Sequence, residues 1–146
     1  MKIISYNSLY FNKCLSILES NTPEFIDTTE KSLFIDFLSR KEIVYFILFE
    51  SKELIACGGY GYDNKKDIVA LSWGLVHNQF HKMGFGAHLL QYRLKHIMKN
   101  YPNINIVLDT SQKTYKFYES FNFKVDKITR DFYRKGLDRY DMSLIR

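Results

Sequence analysis

The stretch that decides the fold is residues 73–90, which read WGLVHNQFHKMGFGAHLL. Its first residues, Trp73–Val76, end a β-rich run, and Gly84 and Gly86 stand where a helical pattern begins. N–H groups without an intrahelical partner, the positive helix end and glycines that permit close approach together suit a pyrophosphate. The stretch therefore predicts a strand, a loop and a helix with an anion site at its start. A glycine-eased turn into a helix is the alternative.

Two other phosphate-binding patterns fit the stretch poorly. A P-loop requires the string G-x-x-x-x-G-K-[ST], which does not occur. A dinucleotide fingerprint would need a third glycine where Leu89 stands, although Asp109 does follow Gly84 by 25 residues. Its glycines should also follow the strand directly, whereas seven residues separate Val76 from Gly84. Neither pattern is expected to describe the site.

Outward from this stretch, hydrophobic periodicity predicts an alternation of strands and helices. The predicted strands are 2–6, 44–49, 54–60, 67–76, 104–108, 123–128 and 140–145, with a long loop through Gly136 between the last two. The predicted helices are Ser8–Ser20, Thr28–Arg40, Gly84–Tyr101 and Ser111–Ser120, with Ser8 and Ser111 as N-caps and apolar faces that include Phe11, Leu15, Leu18, Leu33, Phe34, Phe37, Leu38, Ala87, Leu90, Leu94 and Ile97. This order predicts an α/β fold with a mixed, mostly antiparallel central sheet and helices on both faces.

Length and composition limit the class of protein. At roughly 150 residues per domain, the 146 residues predict a single domain over 1–146. The longest apolar run, Ile43–Phe49, is far shorter than the roughly 18 residues of a membrane helix, so no membrane partner is expected. Cys14 and Cys57 do not form a disulfide framework, and no export signal is visible, so we expect a cytoplasmic protein. Cys57 lies in an apolar β-rich run and is expected to be buried rather than nucleophilic.

The charged and histidine residues exclude two further classes of partner. The net charge is +5, but the basic residues are dispersed. The densest basic stretch comprises Arg130, Arg134, Lys135 and Arg139. We expect it to form a solvated loop, so no nucleic-acid partner is expected. His77 and His81 lie four residues apart but precede the helix and lack the other residues of a zinc motif. No metal is expected.

A second segment, residues 108–123, reads LDTSQKTYKFYESFNF. Taken with residues 73–90, it resembles the GNAT superfamily of N-acetyltransferases, in which a strand leads to [RQ]-x-x-G-x-[GA] and a later helix carries Asn-x-x-Ala-x-x-Phe-Tyr-Glu-Lys-x-Gly-Phe. Residues 56–60, 110–112 and 136–142 are similar to a bacterial subgroup of small GNAT enzymes. The departures from the superfamily pattern are His81 for Arg or Gln, Ser111 for Asn, Thr114 for Ala, and Asn122 for Gly. Asn is tolerable at 122 because it enters the left-handed region readily.

The resemblance implies a GNAT-like acetyl-CoA-binding fold with acetyl-CoA as co-substrate. The cofactor would lie in a V-shaped opening between strands 67–76 and 104–108, with pantetheine near Leu75 and Val76 and pyrophosphate on the amides of Lys82–Ala87. The cofactor-binding residues implied are Leu75, Val76, His81, Lys82, Met83, Gly84, Phe85, Gly86, Ala87, Ser111, Thr114 and Phe117. The acceptor would be a small-molecule amine or an exposed amino group, and a homodimer is compatible with the resemblance.

The resemblance also implies a catalytic residue. Tyr118 would protonate the departing thiolate as general acid, whereas spacing alone favours a core aromatic beside Tyr115 and Phe117. No base is implied: Asp109 or His77 could act through water, or the amine could arrive deprotonated. The function implied is therefore an N-acetyltransferase that works by direct attack. The alternative is a non-catalytic CoA-binding regulatory or interaction module on the same fold.

Overall fold

The computed structural model describes residues 1–146 and contains seven strands and four α-helices. In chain order they are β1 (Lys2–Ser5), α1 (Phe11–Ser20), α2 (Glu30–Leu38), β2 (Val44–Glu50), β3 (Glu53–Asp63), β4 (Ile68–Val76), α3 (Phe85–Asn100), β5 (Asn105–Thr110), α4 (Tyr115–Glu119), β6 (Phe123–Arg134) and β7 (Leu137–Leu144). Short 3₁₀ turns occupy Ser8–Tyr10 and Asn78–Phe80. The order of elements agrees with the one read from the sequence.

The strands are hydrogen-bonded in the order β1-β2-β3-β4-β5-β7-β6. Four pairings, β1–β2, β2–β3, β5–β7 and β6–β7, are antiparallel. The β4–β5 pairing is parallel because α3 forms the crossover between the two strands, and it joins Ile68–Ala70 to Asn105–Val107. The predicted fold class, a mixed α/β fold with a mostly antiparallel sheet, is confirmed.

The chain forms two compact units, and β4 contributes to both. The first unit comprises Met1–Gly61 and Ser72–Pro102, and the second comprises Tyr62–Leu71 and Asn103–Arg146. The buried cluster of the first unit is Cys14, Ile17, Leu18, Phe34, Phe37, Leu38, Tyr45, Ile47, Leu54, Cys57 and Leu75. None of the helices combines the length and apolar character that crossing a bilayer requires. The expectation of one domain over 1–146 stays a prediction.

The N-cap before α1 and the buried face of α2 differ from the sequence prediction. Asn7, rather than Ser8, caps the N-terminal turn, since its Oδ1 accepts the N–H of Leu9 at 2.9 Å. The regular helix α1 therefore begins only at Phe11. Leu33, predicted on the apolar face of the second helix, is 57% exposed. The buried face of α2 consists of Phe34, Phe37 and Leu38, and Leu33 lies outside it.

The loop predicted through Gly136 is wrong: β6 and β7 form one long hairpin. Polar side chains shape the end of this hairpin, which is why the sequence predicts strands at 123–128 and 140–145 but a loop between them. Asp131, at φ +54°, accepts the N–H of Gly136 at 2.7 Å, and its own N–H donates to Asp138 Oδ1 at 2.9 Å. The Gln112 side chain donates to the Gly136 carbonyl at 2.6 Å and accepts the N–H of Asp138 at 2.9 Å. The hairpin tip is thereby tied to the segment before α4.

Candidate active site

The last residue of β4, Val76, is held by two side chains. Its carbonyl oxygen accepts a hydrogen bond from Asn21 Nδ2 at 2.9 Å and another from His81 Nε2 at 2.8 Å. A carbonyl offers two lone pairs, so both are used. The ring of His81 also meets that of Phe25 edge-on, with centroids 5.1 Å apart. The structure thus brings two predicted residues, Val76 and His81, together and adds Asn21, which directly follows the predicted helix Ser8–Ser20.

The loop before α3 has the geometry of a helix N-terminus open to an anion. Lys82 and Gly84 adopt left-handed conformations, with φ of +62° and +87°. Gly84 is the N-cap and supplies no side chain, and the first turn of α3 contains no acidic residue. A Cβ at Gly84 would meet nothing within 4 Å, so its positive φ, rather than space, explains the glycine. Lys82 and Met83 are exposed beside these amides.

The predicted residues of the second unit lie on α4 and the turn before it. Ser111 does not cap α4 as predicted, because the helix begins four residues later, at Tyr115. Its Oγ accepts the N–H of Lys113 at 3.2 Å, and its carbonyl accepts the N–H of Thr114 at 3.1 Å. Ser111 therefore stabilises the turn, and Thr114 is the residue preceding the helix.

Tyr118 lies half-buried on α4 among aromatic rings. Its ring centroid is 5.1 Å from that of Phe117 and 6.0 Å from that of Phe123, both edge-on. At the end of the helix, Asn122 adopts φ +69°, the left-handed conformation expected of a residue that replaces glycine. These contacts fix the orientation of the Tyr118 ring.

Both candidate bases are engaged with neighbouring groups. Asp109 Oδ1 accepts the hydroxyl of Tyr133 at 2.6 Å, and Asp109 Oδ2 lies 3.6 Å from Arg139 Nη2. His77 Nδ1 accepts the N–H of Gln79 at 3.2 Å. An imidazole nitrogen that accepts a hydrogen bond has its lone pair occupied. His77 would have to break this hydrogen bond before Nδ1 could take a proton from an amine, whereas each Asp109 oxygen keeps a further lone pair.

The two thiols are buried and unreactive in this environment. Cys14 and Cys57 are free cysteines with no exposed surface. A hydrogen bond with Cys57, together with burial, raises the pKa of the Cys14 thiol well above its ordinary value. Since the thiolate is the nucleophilic form, Cys14 is not suited to catalysis, and Cys57 has no exposed surface for a substrate to reach. The prediction that Cys57 is a buried strand residue is confirmed.

Comparison with known proteins identifies the family. A family model described as the acetyltransferase (GNAT) domain matches residues 19–146. No curated protein matches the chain.

Solved structures share the fold at low sequence identity. An aminoglycoside 6'-N-acetyltransferase complexed with coenzyme A is 16% identical, with a TM-score of 0.78 over 98% of this chain and 96% of that one. The ribosomal-protein-S18-alanine N-acetyltransferase from Escherichia coli is 18% identical, with a TM-score of 0.79 over 98% and 92%. Ard1 from Thermoplasma volcanium is 13% identical, with a TM-score of 0.80 over 99% and 98%. Because the family model spans most of the sequence, the chain belongs to the GNAT family of N-acetyltransferases.

Proposed function

We propose that the protein transfers the acetyl group of acetyl-CoA to an amine by direct attack on the thioester. The observation that carries the proposal is the N-terminus of α3, where Gly84 provides no side-chain cap and the first turn has no acidic residue. The amides and dipole of a helix N-terminus favour a bound anion, and the CoA pyrophosphate is such an anion. Lys82 adds a positive charge beside them. A structural neighbour, the aminoglycoside 6'-N-acetyltransferase, is described in complex with coenzyme A.

The end of β4 would receive the pantetheine arm near Leu75 and Val76. The carbonyl of Val76 already accepts hydrogen bonds from Asn21 and His81, so pantetheine would pair with other backbone groups of this segment. His81 would then serve the cofactor by fixing the strand end and through its own backbone, because its ring is committed to Val76. In the second unit, Ser111, Thr114 and Phe117 are proposed as further cofactor contacts, as the family resemblance implies.

The proposed reaction requires few protein groups. The amine nitrogen forms a bond to the acetyl carbon, the tetrahedral oxyanion collapses, and the carbon–sulfur bond breaks to release a thiolate. Tyr118 is proposed to donate its phenolic proton to that sulfur, a contribution of about 10²–10⁴-fold for a positioned general acid. The proton that the attacking nitrogen loses passes to water, and a proton from water restores the phenol. The Nδ1 of His77 is already hydrogen-bonded, so the proposal keeps two routes: an amine that arrives deprotonated, or Asp109 acting as base through water.

The acceptor is proposed as a class. Neighbours with this fold are described as acting on aminoglycosides and on an alanine of ribosomal protein S18. A small-molecule amine and an exposed amino group of a peptide therefore both belong in the search for the acceptor.

The proposal is tested by binding and transfer on the intact chain. Acetyl-CoA at about 100 times its Kd should stabilise the protein by about 2.7 kcal/mol, measured as a shift in the unfolding midpoint. Release of CoA, followed with a thiol reagent over a panel of aminoglycosides, polyamines and short peptides, should occur with at least one amine. Binding without release across the panel would favour a non-catalytic CoA-binding module. No binding of acetyl-CoA would overturn both functions.

A further inference from the structure

Helix α3 buries one arginine inside the unit formed by Met1–Gly61 and Ser72–Pro102. Arg93 is 3% exposed. Its Nε and Nη2 donate to the carbonyl of Gly59 in β3 at 3.1 and 2.7 Å, and Nη2 also donates to the carbonyl of Ser72 in β4 at 3.2 Å. Burying a guanidinium is costly unless it is hydrogen-bonded, so a position that only filled the core would suit an apolar side chain better. The arginine at position 93 is therefore explained by the carbonyl groups of Gly59 and Ser72, to which its guanidinium donates hydrogen bonds.

Two strand glycines make room for this guanidinium. A Cβ at Gly74 would lie 2.7 Å from Arg93 Nη1, and a Cβ at Gly58 would lie 3.0 Å from Arg93 Cζ. Both distances are too short for ordinary contact. The glycine positions of β3 and β4 and the arginine of α3 are thus one arrangement, although they lie far apart in the sequence.

The guanidinium of Arg93 donates a hydrogen bond to Ser72, which precedes a β4 residue with an unusual backbone conformation, Trp73. Trp73 adopts φ +48°, a left-handed conformation that is strained for a non-glycine residue. The carbonyl before it, that of Ser72, accepts from Arg93, and its own carbonyl accepts the hydroxyl of Tyr45 at 2.7 Å. The Trp73 ring packs 5.0 Å from that of Phe34. Arg93 and Tyr45 therefore hold the two peptide groups that flank the strained residue.

We infer that Arg93 is a positioning residue for acetyl-CoA, and this inference rests on the proposed function. By fixing the backbone at Trp73, it sets the direction of Gly74–Val76, the segment proposed to receive the pantetheine arm. The pyrophosphate is assigned to a different segment, Lys82–Ala87. Loss of Arg93 should therefore weaken binding of the acetyl-pantetheine end of the cofactor while sparing the nucleotide end.

The experiment compares acetyl-CoA with 3'-phospho-ADP, which carries the pyrophosphate but lacks pantetheine. In Arg93→Met, the Kd for acetyl-CoA should rise about tenfold, while the Kd for 3'-phospho-ADP should change less than about twofold. Arg93→Lys should recover part of the loss, because an ammonium keeps the charge but not the forked donor geometry. Lys95→Met, on the exposed face of α3, is the matched control and should bind both ligands as the wild type does.

A second variant moves the guanidinium without removing it. Gly58→Ala places a methyl group 3.0 Å from Arg93 Cζ and lies outside the segment Gly74–Val76, so it should reproduce the selective loss and decides the question should Arg93→Met not fold. Equal weakening of both ligands, or a lowered melting temperature with unchanged acetyl-CoA affinity, would show that Arg93 is only a core residue. Failure of the wild type to bind acetyl-CoA would instead identify the proposed function as the step that is wrong, and the inference would fall with it.

Discussion

The imidazole of His81 donates a hydrogen bond of 2.8 Å from Nε2 to the backbone carbonyl oxygen of Val76. This bond joins the loop that precedes α3 to the end of β4. Where the superfamily pattern has Arg or Gln, this chain has a ring committed to its own backbone. The contribution of residue 81 to cofactor binding is therefore expected to come from its effect on the loop.

Replacing His81 by Leu should lower stability more than it lowers cofactor affinity. The variant leaves Val76 with Asn21 as its remaining side-chain donor, and loss of one such hydrogen bond costs about 1 kcal/mol. The free energy of unfolding from urea denaturation measures the loss. His88→Leu, at an exposed position of α3, should change it by less than about 0.5 kcal/mol. Unchanged stability with lost CoA binding would mean that the ring contacts phosphate directly.

Gly86→Trp should abolish the stabilisation that acetyl-CoA gives. Gly86 lies in the first turn of α3, where a bulky side chain would occupy the place proposed for the pyrophosphate. Thermal unfolding with and without acetyl-CoA tests this. Gly61→Trp is a suitable control, since a Cβ at Gly61 meets nothing within 4 Å. Wild-type affinity for CoA in the Gly86 variant would remove the glycine motif from the cofactor site.

The sequence predicts the strands and helices of this fold because apolar periodicity and glycine positions, which specify them, are visible within short segments. The periodicity of apolar residues marked α3, and the glycines at 84 and 86 marked its start. Position 84 requires glycine because its φ is positive, and a glycine in a motif is directly visible in the sequence. The order of strands and helices followed from the same kind of reasoning.

The contacts that the sequence did not predict are those between distant positions. Asn21 bonds to Val76 across 55 residues, and nothing around Asn21 signals that partner. Arg93 interrupts an apolar stripe and would be read as a solvated residue, although its guanidinium lies buried between strand glycines. The end of the β6–β7 hairpin was read as a loop because its stabilising groups, Asp131 and Asp138, are polar. Each of these features depends on contacts between residues that are distant in the sequence, and no local pattern predicts such contacts.

Stability should fall as the pH rises above about 8.5, the ordinary pKa of a thiol. The hydrogen bond with Cys57 and burial raise the pKa of Cys14 in the folded protein, and burial raises that of Tyr45. Above the ordinary values, the unfolded chain therefore binds fewer protons than the native state, so the free energy of unfolding decreases with pH. Urea denaturation between pH 7 and about pH 10 under reducing conditions measures this decrease. Cys14→Ala should flatten the first part of the profile, and a flat wild-type profile would contradict the prediction.

Tyr118→Phe should separate catalysis from structure. The variant keeps the ring and its packing against Phe117 and Phe123 but loses the proton donor. If Tyr118 protonates the departing thiolate, turnover should fall by about 10²-fold or more, with the Kd for acetyl-CoA and the melting temperature nearly unchanged. The measurement is steady-state CoA release with the best amine of the panel, combined with binding and thermal unfolding of the same preparation.

Tyr115→Phe is the matched control for this measurement. Tyr115 lies on the same helix, and its ring packs against Tyr140 at 4.6 Å, so the change removes a hydroxyl from α4 without touching the proposed acid. Its turnover should stay close to that of the wild type. Lower stability with normal turnover per folded molecule in Tyr118→Phe would show that its hydroxyl is a structural hydrogen-bonding group. If both turnover and stability stay normal, the thiolate must be protonated by water or by another side chain, and the catalytic role proposed for Tyr118 is wrong.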